Sequence, residues 1–141
     1  MEALKAAIYR RAEEIYNRAM QEAMKNSGEG FLALGLAYVN FAKRETNLFR
    51  FLFMANAFRQ GSAAGIAGST TGDDTVIALI CRMTGLDASK ARELYTGLWF
   101  TTHGIASLLS TNSCTLSDAE TERILKTAFA GYLHMLREEG K

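Results

Sequence analysis

The sequence predicts an all-α protein of about six helices forming one domain over residues 1–141, and three observations predict it. Apolar residues recur at gaps of three and four along most of the chain, which places them on one face of a helix. No stretch alternates apolar and polar residues as a half-buried strand does. There is no proline, while 12 glycines and several capping signals mark where helices begin and end. At 48% apolar and 22% charged residues, the composition is that of an ordinary globular protein.

The first helix is expected over Glu2 to Lys25. Leu4, Ile8, Ala12, Ile15, Ala19 and Ala23 form its apolar stripe, and "NSGEG" breaks it. A second helix fits Phe31 to Lys43, with Phe31, Leu34, Tyr38 and Phe41 in line. The third, "NLFRFLFM", is apolar nearly all round and is expected to be buried on most sides. Ala55 to Gly72 holds Gly61, Gly65, Gly68 and Gly72 among small residues and reads as a mobile loop or lid. Asp73 is placed to cap a fourth helix that Gly85 ends in a left-handed conformation. Asp87 caps a long fifth helix running to about Thr111. "SDAE", Ser117 to Glu120, is a capping box that opens the last.

Charge and motifs remove several function classes. The 16 basic and 15 acidic residues leave a net charge of +1, without the basic excess needed to neutralise phosphates. No apolar run is long enough for a membrane helix, and no signal peptide opens the chain. Cys81 and Cys114 form no CxxC pair and read as free thiols, so cytoplasm is the expected compartment. Zinc-protease, P-loop and GxSxG patterns are missing, and no cofactor, metal or catalytic set is implied. The paired carboxylates Glu13–Glu14 and Glu138–Glu139 read as solvated helix faces, and His134 as a surface or interface residue.

What the chain has in surplus is aromatic. Tyr38, Phe41, Phe49, Phe51, Phe53, Phe58, Trp99 and Phe100 suit a core, but an apolar ligand pocket is made of the same material. Tyr38, Thr102 and His103 are the polar groups that could orient a guest there. Trp99 and His103 lie one turn apart and share a helix side. A second stripe on the fifth helix holds Gly97, Thr101, Gly104 and Leu108, mostly small. Ile124, Ala128, Gly131 and Met135 match it on the last helix. Such stripes allow close helix packing, and repeating the pair about a two-fold axis gives a four-helix dimer interface.

The pattern "TGLDASKARELYTGLWFTTHGIASLLSTNS…LSDAETERIL" resembles the C-terminal regulatory domain of TetR/AcrR-type transcriptional regulators. The likeness is greatest to the branch with a Trp-x-x-x-His-Gly element, here Trp99, His103 and Gly104, and "YVNFAKRETNLFRFLFM" is similar to its preceding helices. The resemblance implies an all-α homodimer. Its last two helices would form the interface, and its middle helices would enclose a small lipophilic or aromatic effector. Phe41, Phe49, Phe53 and Trp99 would supply walls, with Tyr38, Thr102 and His103 as polar contacts that orient the ligand. Operator DNA would be read by an N-terminal helix-turn-helix that these residues do not include, so a part of a longer regulator, a repressor, is expected. The alternative is a stand-alone helical module that binds another protein through its glycine stripes.

Overall fold

The structure, a computed structural model, describes residues 1–26, 30–54 and 74–141. All regular structure among them is helical: α1 (Glu2–Asn26), α2 (Gly30–Arg44), α3 (Thr46–Phe53), α4 (Asp74–Thr84), α5 (Ala88–Ser110) and α6 (Asp118–Glu138). The expected loop of Ala55–Gly72, with Phe58 and the cap at Asp73, lies outside the described residues. The contacts divide into two compact units, Met1–Phe58 with Ile105–Thr115, and Arg59–Gly104 with Leu116–Lys141.

In the first unit, α1 packs on α2 and α3. The buried stripe of α1 is Ala12, Tyr16 and Met20, spaced by four. The expected stripe is corrected here, because Leu4 and Ile8 stand 60% and 48% exposed. Tyr16 is the centre of the packing. Its ring meets Phe53 at 4.9 Å, Phe41 at 5.4 Å and Tyr38 at 6.0 Å, all edge-on. Aromatic pairs at such angles contribute about 0.5–1.5 kcal/mol each beyond their buried area. Helix α3 is also corrected: Phe49, Leu52 and Phe53 are buried, but Asn47, Arg50 and Met54 are exposed, so it buries one face rather than most sides.

The second unit shows how sequence-local chemistry sets helix ends. Gly85 has φ 75°, and its N–H closes on the Cys81 carbonyl at 2.9 Å. The Asp87 carboxylate accepts from the Lys90 N–H at 2.9 Å. Ser117 and Glu120 complete their reciprocal capping box at 3.1 and 2.7 Å. Backbone and side-chain hydrogen bonds from Ser117 hold the Glu120 carboxyl below its ordinary pKa. The C-terminus of α6 is tied down by two cations. Lys90 Nζ donates to the Leu136 carbonyl at 2.6 Å, and Arg137 Nη2 donates to the Thr84 carbonyl at 2.8 Å. Such bonds satisfy carbonyls that a helix end leaves without partners, and charge makes them stronger than neutral ones.

Helix α5 ends in the first unit with a Schellman motif. Asn112 takes φ 55°, its N–H donates to the Leu109 carbonyl at 3.2 Å, and the Ser113 N–H donates to Leu108 at 2.9 Å. Asparagine tolerates this left-handed geometry better than most L residues, so Asn112 serves where glycine is usual.

Candidate functional site

The seven residues read from the sequence as ligand contacts fall into two groups. Tyr38, Phe41, Phe49 and Phe53 belong to the first unit, and all four are buried. Tyr38 meets Phe49 at 5.6 Å and Phe53 at 5.3 Å, while Phe49 and Phe53 lie 5.2 Å apart. With Tyr16 among them, these rings fill one another's space. Sequence reasoning missed Tyr16 because the stripe chosen for α1 passed through Ile15 and Ala19. The spacing Ala12–Tyr16–Met20 was equally regular and carried more apolar volume.

Phe41 has a second exposure. It forms part of an open groove of about 370 Å³ between α1 and α2, floored by Ile15, Ala19, Ala23 and Ala37. Glu22, Asn40, Arg44 and Glu45 also line it. No residue of this groove other than Phe41 was among the sequence-derived contacts.

Trp99, Thr102 and His103 belong to the second unit. The His103 imidazole lies flat on the Trp99 indole, with centroids 4.7 Å apart and planes 7° from parallel, as their one-turn spacing requires. Phe100 meets the same indole edge-on at 5.2 Å. Trp99 is only 8% exposed, and its Nε1–H has no hydrogen-bond partner among the described residues. Burial pushes the half-buried His103 imidazole below its ordinary pKa, which favours the neutral ring. The Thr102 hydroxyl already donates to the Leu98 carbonyl at 2.7 Å, so only its lone pairs are left for another group. Among the described residues no group of three or more His, Cys, Asp or Glu could hold a metal ion.

The residues read as an interface are arranged unevenly. At Gly97 a Cβ would stand 2.7 Å from the Tyr132 ring, so α5 and α6 do approach closely at that point. Thr101 lies half-buried one turn further on and donates its hydroxyl to the Gly97 carbonyl at 3.0 Å. Close packing within the pair does not extend to Gly104 or Gly131, where an added Cβ would meet nothing within 4 Å. Leu108 and Met135 are 49% and 59% exposed, Ile124 is exposed as well, and Ala128 is half-buried. Phe100, one turn before Gly104, and Tyr132 are exposed large apolar residues that the sequence reading left out of this face.

No helix among the described residues is long and apolar enough to cross a membrane. No curated protein and no solved structure matches the chain. Residues 31–132 do match the family described as tetracyclin repressor-like, C-terminal domain, and this span runs from the start of α2 into the last turns of α6. Six helices in this order among the described residues, the Trp99–His103–Gly104 element on α5 and a family match over most of the sequence lead to one conclusion: the chain belongs to the tetracyclin repressor-like C-terminal domain family.

Proposed function

We propose that residues 1–141 act as one cytoplasmic regulatory domain of a TetR-type repressor, which binds a small apolar effector and forms a homodimer. Operator binding is assigned to a helix-turn-helix outside these residues, and the chain itself carries neither catalysis nor DNA contact. The effector would sit against the Trp99–His103 stack. By preferring one arrangement of helices it would shift the dimer between states. A coupling of about 1–3 kcal/mol changes operator affinity roughly 5- to 150-fold.

The observation that carries this reading is the apolar face left open on the last two helices. Phe100 and Leu108 on α5, and Ile124, Tyr132 and Met135 on α6, are exposed, and a Cβ added at Gly104 or Gly131 would meet no described atom within 4 Å. A second copy would cover these side chains, and its helices could approach to the backbone at Gly104 and Gly131.

Native mass spectrometry tests the proposal directly. The expected species has twice the 15.5 kDa chain mass. Gly131→Leu, whose Cβ would meet no described atom of its own chain within 4 Å, is expected to give a folded monomer. A wild-type chain that stays monomeric at high micromolar concentration would remove the dimer and favour the protein-interaction module instead.

A further inference from the structure

Trp99 presents a chemical demand that no described residue meets. Its indole is more than nine-tenths buried, and its Nε1–H has no acceptor among the described residues, although most buried donors in folded proteins find one. The Nε1–H bond lies in the plane of the indole, and His103 stacks parallel to that plane. An acceptor must therefore reach the N–H at the edge of the stack rather than over the ring that His103 covers. Phe100 meets the indole at right angles and adds apolar surface.

The surroundings on α5 also restrict charge. From Tyr95 to Ser113 the sequence contains no Asp, Glu, Lys or Arg, so this part of the helix offers no fixed charge to balance a charged guest. His103 is the one histidine there, and burial favours its neutral form. Removing a charge from water without a partner is costly, whereas a carbonyl oxygen that meets a buried N–H satisfies both groups.

Resting on the reading of Trp99 and His103 as effector contacts, we infer that the effector is an uncharged, largely apolar molecule carrying a carbonyl-type oxygen that accepts from Trp99 Nε1–H. This gives the Trp-x-x-x-His-Gly element a chemical role: tryptophan donates, histidine holds the indole plane, and the rest of the contact is apolar. The class includes ketones, esters and amides, and leaves out carboxylates, ammonium ions and pure hydrocarbons.

Trp99 is the only tryptophan, so a nitrogen-labelled chain gives a single indole N–H resonance that reports this atom alone. The test titrates the chain with acetophenone, ethylbenzene and benzoate, which share an aromatic ring and near-equal size but differ in acceptor and charge. Acetophenone is expected to move the indole proton downfield and to bind at least about tenfold more tightly than ethylbenzene, a difference of about 1.4 kcal/mol. In Trp99→Phe, followed by calorimetry, that ratio should fall close to one. Equal binding of acetophenone and ethylbenzene with an unmoved indole proton would overturn the acceptor assignment but leave a ligand pocket standing. Tighter binding of benzoate would overturn the uncharged class. If none of the three perturbs any resonance of the chain, both the acceptor and the pocket reading of Trp99 fall. The wild-type titration decides these outcomes even if the variant fails to fold.

Discussion

At Gly85 the chain takes φ 75°, and a Cβ there would meet no atom within 4 Å. The penalty for a side chain at this position is therefore conformational and not steric. Left-handed geometry costs an L residue about 1–2 kcal/mol, and Gly85→Ala is expected to lower the unfolding free energy by about 1 kcal/mol. Urea titration should show a lower midpoint with an unchanged slope. His103 yields a second prediction. Burial lowers its folded pKa, so the unfolded chain binds more protons between that lowered value and about 6.5. The stabilisation from a neutral His103 is complete above about pH 6.5 and is lost as pH falls through this window. The urea midpoint of the wild type should drop more steeply than that of His103→Gln between about pH 7 and about pH 5. Over the same range, forming an imidazolium against the indole should quench Trp99 emission in the wild type and not in the variant. Parallel curves would mean that His103 does not titrate in this way.

Among the elements, the α5–α6 pair separates two uses of glycine that look identical in sequence. Gly97 faces the Tyr132 ring, whereas Gly104 faces open space. Within a helix, alanine gains up to about 1 kcal/mol over glycine. In the monomeric Gly131→Leu background, Gly104→Ala should raise the thermal midpoint, while Gly97→Ala forces Tyr132 aside and should give a lower midpoint than Gly104→Ala. Matching midpoints would show that the Tyr132 contact is unimportant. The same contrast shows what the sequence could reveal. Helix ends were legible because their determinants are local: Gly85, Asp87 and the Ser117–Glu120 box all act within five residues. Helix faces were less so. On α1 the sets Ala12–Ile15–Ala19 and Ala12–Tyr16–Met20 both follow helical spacing, and only the rings of α2 and α3 packed opposite select the second. On α3 the arginine and asparagine that reach solvent decided against burial all round.

Across the whole chain, the candidate site was legible residue by residue but not as an assembly. Tyr38, Phe41, Phe49 and Phe53 are aromatic and buried as their pattern implied, yet Tyr16 occupies the space among them. A core and a pocket draw on the same side chains, and composition cannot tell filled space from empty. That Trp99 and His103 share a helix side was readable from their one-turn spacing, while their stacking and the missing acceptor for Trp99 needed three dimensions. Family membership was legible from the order of the pieces, since no single motif of the chain is specific enough to establish it. The cations at the end of α6 have a mechanical consequence. Lys90 and Arg137 make that end a fulcrum, and the 21-residue helix extending from it is a lever about 31 Å long. A tilt of about 3° at the fulcrum carries the Ser117 end through about 1.6 Å, comparable to the helix shifts of about 1–2 Å by which regulatory interfaces switch.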